Sequence, residues 1–459
     1  MTPLRHLLLI TALAALATAG ASSPVRAGAE SKWPTSTPQR TDSKFGREIC
    51  RVLGPSRLRG RVHEDVVLEL ARLGPDAVPA LFAYLAGTME GPEPEATETP
   101  APDDESVTLA EVPREDVILL DVLKQFPRAR VVPAVTAAML RGSVDVKLVG
   151  MRVLGEVGGA QAVDAWIDVL VAVDPLHLQR AYVQAPTEAA LVAVLESEDA
   201  AFGALLARIR TVEPRILPAI VRALGASGRS KGVDPLVALL GRTSDLDLIV
   251  LAQLGRLVEN TLGSLPEEKL SWVRPFASDA DWRVRREAIA TLARVQDVPS
   301  YALFVAALED DQRLVAQTAL WSLRKASGLD FEEDAKAWTA WFDAEIEWYE
   351  TEGARWTALL QSEDAAEVIE AAGALAAHPI FRHETARALA APLARSAPET
   401  GAALAGILGT LQSPAALPSL VQALGSEHEG VRTAAWSALK LVTGRDLPLE
   451  ARAWAEMAR

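Results

Sequence analysis

The sequence predicts an all-α fold, an α-solenoid in which antiparallel helix pairs of about 31 residues stack into a superhelix. Three observations predict it. Hydrophobic residues make up 49% of the chain, with Ala, Leu and Val dominant, yet aromatics are only 5%; Ala and Leu are strong helix formers that let helices pack closely. A chain of 459 residues exceeds what one compact core usually takes. Above all, an apolar stripe recurs with steps of four, four and three residues, the spacing of one helical face.

The N-terminus reads as a secretory signal. Arg5 and His6 supply charge, and Leu7 to Ala19 is an apolar run short for a membrane span. Small residues follow, with cleavage expected after Ala19, Ala21 or Ala27; an uncleaved anchor is the alternative. The expectation is a signal over residues 1–27, a flexible leader over 28–44, and an exported chain, periplasmic or extracellular. No later stretch is apolar enough to span a membrane, so no integral membrane segment is expected in the mature chain.

The repeats begin near residue 45. The stripe appears first as Val62, Val66, Leu70 and Leu73. It returns as Val146, Gly150, Leu154, Val157, then as Leu246, Val250, Leu254, Leu257, and as Val284, Ala288, Leu292, Val295. Val315, Ala319, Leu323, Ala326 and Val431, Ala435, Leu439, Val442 complete the set, and Ile216, Ile220 and Leu224 match in part. A small residue in the second place (Gly150, Ala288, Ala319, Ala435) admits a neighbouring helix. A partner pattern lies between: Val78, Phe82, Leu85; Val163, Ile167, Leu170; Val233, Val237, Leu240; Tyr301, Val305, Leu308; Leu417, Val421, Leu424. Pro79, Pro133, Pro235 and Pro418 are placed in or near first turns, where helices tolerate proline. Steps of 17 residues (Val146 to Val163, Val284 to Tyr301) and 14 (Leu270 to Val284, Leu417 to Val431) sum to the unit of 31. Roughly nine to eleven repeats are expected.

Residues from about 90 to 106 are rich in Pro, Glu, Asp and Thr, and predict a disordered acidic insertion. A sharper duplication follows at an offset of 116: Gly328, Asp330 and Trp338 align with Gly444, Asp446 and Trp454, and Ser327 with Thr443. Each copy predicts a helix stopped by glycine, a turn through Asp, and a Trp folding back over the preceding pair. The two modules divide the chain into arrays over 45–345 and 346–459. Between 331 and 356, Trp338, Trp341, Phe342, Trp348, Tyr349 and Trp356 fall on more than one helical face. They predict a packing joint between arrays or, alternatively, an aromatic binding patch.

These repeats resemble the HEAT-repeat family, including its bacterial lyase-like members. Asp281-Trp282-Arg283-Val284-Arg285, followed by Ala288 and Leu292, matches the typical start of the second helix; Val431-Arg432 and Val146-Lys147 match in part. The resemblance implies a concave superhelix and no particular activity. It also implies that the basic residue after valine pairs with an Asp of the next repeat, giving a ladder through Arg285, Lys147 and Arg432. A site for an acidic partner, built on the basic cluster Arg283, Arg285 and Arg286 beside Trp282 with Arg274 nearby, is the alternative.

Little chemistry is visible. A formal charge of −15 disfavours nucleic acid and anionic lipid. The single cysteine, Cys50, excludes an intrachain disulfide and reads as a partly buried thiol. His63-Glu64, His383-Glu384 and His428-Glu429 resemble the His–Glu pairs of di-iron HEAT hydroxylases, but they stand at different helical registers, which favours chance pairing. The expected function is a scaffold binding a protein or peptide, without cofactor, metal or catalysis; a metal-dependent or lyase-like enzyme is the alternative. Trp338, Trp341, Trp348, Arg283 and Arg286 are the candidate contacts.

Overall fold

A computed structural model describes residues 44–53, 55–89, 114–261 and 265–454. The expected signal, most of the leader and the acidic insertion lie outside the described residues. All regular structure among the described residues is helical. No described helix is long and apolar enough to cross a membrane.

The first part of the chain holds α1 (Lys44–Val52), α2 (His63–Ala71), α3 (Val78–Leu85), α4 (Glu115–Gln125), α5 (Arg128–Arg141), α6 (Val144–Val157), α7 (Ala160–Val171), α8 (Ala181–Ser197) and α9 (Asp199–Arg208). It continues through α10 (Leu217–Ala226), α11 (Val233–Val237), α12 (Ser244–Thr261), α13 (Glu267–Val273), α14 (Trp282–Arg294), α15 (Tyr301–Ala306), α16 (Arg313–Ser327) and α17 (Ala335–Trp348). The last part holds α18 (Ala354–Leu359), α19 (Ala365–Ala376), α20 (Arg382–Arg395), α21 (Pro398–Leu411), α22 (Leu417–Ala423), α23 (Glu429–Thr443) and the short α24 (Ala451–Trp454).

Alternate helices form two layers. Helices α2, α4, α6, α8, α10, α12, α14 and α16 pack each on the next in one layer, and α19, α21 and α23 do the same further on. The second layer runs α3, α5, α7, α9, then α11 on α13 and α15 on α17. The predicted stripes lie between the layers. Val250, Leu254, Val284, Ala288, Leu292, Val315 and Ala319 are all fully buried. Val62 departs: it is the N-cap of α2, one residue before the helix, and is exposed. The insertion does not break the stack, because α3 packs directly on α4 and Tyr84 donates to Glu115 (3.2 Å).

The small second place in the stripe has a direct cause. A Cβ on Gly150 would run into the Met139 side chain of α5. Ala288 is buried in the same place on α14. Ala288→Leu is expected to overpack this crossing and lower stability by about 1–3 kcal/mol in a denaturant titration; an unchanged midpoint would refute the register.

The partner helices are shorter than their patterns suggest. Short 3₁₀ turns opening with proline (Pro75–Ala77, Pro414–Ala416) precede α3 and α22. The α15 turn, Val298–Ser300, has Pro299 as its second residue. Pro133 is displaced: α5 begins at Arg128, so Pro133 sits inside the helix rather than in its first turn.

The ladder forms at one rung only. Arg285 grips Asp310 through two nitrogens (2.7 and 2.8 Å) and reaches Asp311 (2.9 Å). Lys147 instead donates to Gly142 O (2.6 Å), and Arg432 to the carbonyls of Ser426 and Glu427. Arg285 also donates to the carbonyls of Asp279 and Ala280. The shared role is therefore local: each cation satisfies carbonyls of the loop entering its own helix, groups that helix ends leave unpaired.

The buried apolar residues form two clusters. One runs from Ile49 to Trp338 and takes in Ile380; the other runs from Leu360 to Trp454. Each ends in the duplicated module. Gly328 and Gly444 take positive φ (74° and 67°) as helix C-caps. Ser327 and Thr443 accept from the backbone N–H two residues on (3.0 and 3.1 Å). Arg324 pairs with Asp330 (3.1 Å) and Lys440 with Asp446 (2.6 Å). Trp338 and Trp454, both fully buried, donate to Glu332 O (3.0 Å) and Pro448 O (2.7 Å). All these pairs keep the offset of 116.

Candidate functional site

The aromatic segment is a joint, and its faces explain the pattern. Trp338 stands 5.0 Å from Phe331 and 6.1 Å from Trp341, ring centre to ring centre. Trp341, Phe342 and Ile346 pack on the first cluster; Trp348 and Trp356 pack on the second. Trp338, a candidate contact from sequence, therefore presents no surface to a partner. Trp341 and Trp348 are half-buried, and Trp348 stacks on His378 with centroids 3.4 Å apart. A helix wedged between two clusters needs aromatics on more than one face.

One continuous run of helical turns makes this wedge. Between α17 and α18 the chain passes through a wide π turn, Tyr349–Gly353, where a Cβ on Gly353 would lie 3.1 Å from the Tyr349 ring. Tyr349 stacks on Phe381, centroids 3.9 Å apart. Ile380 enters the first cluster, and Arg382 donates to Ala326 O at the end of α16 and to Pro379 O (2.7 Å). Glu345 shares a hydrogen bond with His378 Nδ1 (3.0 Å), and burial pushes its carboxyl up.

The three His–Glu pairs are not brought together. His63 contacts Asp121 of α4 (2.9 Å), His383 contacts Ser413 Oγ (2.7 Å), and His428 is the exposed N-cap of α23. Among the described residues no group of three or more His, Cys, Asp or Glu could hold a metal ion. Cys50 is half-buried, and burial pushes its thiol up.

The remaining candidates are the arginines of α14. Arg283 is exposed and pairs with Asp281 (2.6 Å) and with Asp245 of α12 (3.2 Å). Arg286 lies over the Trp282 ring (5.9 Å). It shares a surface hollow of about 350 Å³ with Ala290, Leu314, Gln317 and Trp321, between α14 and α16. Leu314 is 49% exposed and Trp321 51%. Lys325 covers the Trp321 ring at 4.9 Å. The sequence reading missed Trp321 and Leu314. The available signal was their register: neither belongs to the stripe Val315, Ala319, Leu323, so a helix in that register turns both away from the core.

A model of HEAT repeats matches residues 253–324, from the middle of α12 into α16. No curated protein matches. Among solved structures, an engineered protein is 18% identical, covering 87% of this chain and 99% of its own, with a TM-score of 0.27. The karyopherin Kap121p, bound to the extreme C-terminus of the protein phosphatase Cdc14p, is 11% identical over 86% of this chain, at a TM-score of 0.38; the match spans 45% of the karyopherin. Human deoxyhypusine hydroxylase is 16% identical, covering 71% of this chain and 98% of its own, at a TM-score of 0.22. Scores this low carry no functional argument. Residues 253–324 thus carry HEAT repeats, and the same antiparallel helix pairing continues on both sides of them: the chain is similar to the HEAT-repeat family over that stretch and shares its all-α pairing beyond it.

Proposed function

We propose that the chain is an exported scaffold that binds a protein or peptide partner on the outer face of α14 and α16 and performs no catalysis of its own. One observation carries this reading. Leu314 and Trp321, two large apolar side chains about half exposed, flank one hollow beside Arg286. Exposed tryptophan and arginine in one patch are what protein interfaces concentrate. The apolar run Leu7 to Ala19 with its small-residue end supports export.

Affinity capture by the full mature chain from the envelope fraction tests the reading. Trp321→Ala is expected to lose the captured partner by tenfold or more, about 1.4 kcal/mol, with an unchanged melting temperature because the ring is on the surface. Capture that survives this change would refute the assignment of the face. Metal analysis tests the rest: stoichiometric iron or zinc in the purified protein would overturn the non-catalytic reading.

A further inference from the structure

Cations on this helix layer are usually cross-linked to carboxylates of the adjacent helix. Lys124 of α4 pairs with Glu156 of α6 (2.5 Å), and Arg152 of α6 with Asp116 of α4 (3.0 Å). Arg222 of α10 pairs with Glu188 of α8. Arg283 of α14 likewise reaches Asp245 of α12, but among the described residues no such cross-link joins α14 to α16. The residues of α16 that line the hollow are Leu314, Gln317, Thr318 and Trp321, and none carries charge. Arg286 accordingly rests on its own Trp282, and Lys325 on Trp321, with no carboxylate partner among the described residues. Glu287, the one acidic residue lining the hollow, is held by Arg294 (3.2 Å). Asp310 and Asp311 are held by Arg285. In a chain of net charge −15, this face offers uncompensated positive charge around an exposed indole.

From these side chains we infer that the α14–α16 face docks an acidic segment of a partner protein that carries one apolar anchor residue. Carboxylates of the segment meet Arg286 and Lys325, and the anchor sits between Leu314 and Trp321 over Ala290. The guanidinium is already oriented by Trp282, so binding does not have to immobilise it from a free state. Nucleic acid shares the negative charge but is repelled by the protein's overall field, and offers no aliphatic anchor. The inference rests on the binding reading above and specifies its chemistry.

The test uses the full mature chain and a fluorescein-labelled peptide of about twelve residues, mostly glutamate with central leucines, read by anisotropy. Three partners serve as comparisons: the same peptide with lysine for glutamate, the same with serine for leucine, and an oligothymidylate. The acidic leucine peptide is expected to bind at least about tenfold tighter than all three, and to weaken about tenfold between low and physiological salt. Arg286→Glu combined with Lys325→Glu is expected to weaken it by a further tenfold or more. Lys325 is exposed and Arg286 is half-buried at the rim of an open hollow, so the melting temperature should change little. Equal binding of the lysine peptide or the oligothymidylate would overturn the inference, as would indifference to the double charge reversal. Two outcomes separate the readings: envelope capture lost with Trp321→Ala but kept by the double reversal sinks only the acidic chemistry, whereas capture indifferent to both sinks the assignment of binding to the α14–α16 face as well.

Discussion

Trp454→Ala is expected to destabilise the C-terminal cluster by about 3–5 kcal/mol while leaving the first cluster almost unchanged. The indole is fully buried against residues of its own array, and its N–H is bound to Pro448 O (2.7 Å). Removing it opens a cavity and leaves that carbonyl without its donor, while the turn stays tied to α23 by Trp436, whose indole N–H donates to Leu447 O (2.7 Å), and by Lys440 on Asp446 (2.6 Å). Trp338→Ala is the mirror experiment, since Trp338 closes the first cluster and binds Glu332 O. Calorimetry should show two transitions, each lowered by one substitution only. A single transition lowered equally by both would show that the clusters unfold as one unit.

Acidification is expected to weaken the protein through His383. The half-buried ring lies in α20 beside Arg382, and its partial desolvation first, then the charges of Arg382 and Arg387, hold its pKa down to about 4. Its Nδ1 shares a hydrogen bond with Ser413 Oγ, while Nε2 is buried without a partner among the described residues. A second proton on the ring would have to sit there unmet. The folded pKa is below the unfolded value near 6.5, so the neutral ring favours folding. This stability is complete above about pH 6.5 and is lost as pH falls toward 4, to a limit of about 3 kcal/mol. Denaturant titrations of the wild type and His383→Gln should diverge over that window, with the glutamine variant the flatter. Parallel curves would show that His383 titrates normally.

Much of the architecture was legible because its signals are local and repeated. The stripe through Val284, Ala288 and Leu292 is buried as read, and the duplicated Gly–Asp–Trp module keeps its Ser/Thr turn bond and its indole N–H bond at the offset. Helices α8 and α21 were not legible. α8 does carry the stripe as Val183, Thr187, Leu191 and Val194, but a polar Thr187 in the second place and the internal Pro186 obscure it, and it packs on α6 by the approach of Gly155 to the backbone of Ala190. α21 packs on α23 through Gly409 against Ala438 in the same manner. Close approach of small residues leaves little hydrophobic contrast to read. The candidate site was half legible. Arg283 and Arg286 were found by motif, but Arg283 is held by Asp245 of a neighbouring helix. Which tryptophans were surface and which joint depended on where the second cluster falls, and that contact is not local.

The uninterrupted helical run from Ala335 to Leu359 makes the molecule a mechanical linkage as well as a stack. No loop lies between the two clusters to absorb rotation. A twist imposed on either array would pass to the other through this run, and the wide turn at Tyr349–Gly353 is where its backbone bonding departs from the regular helix.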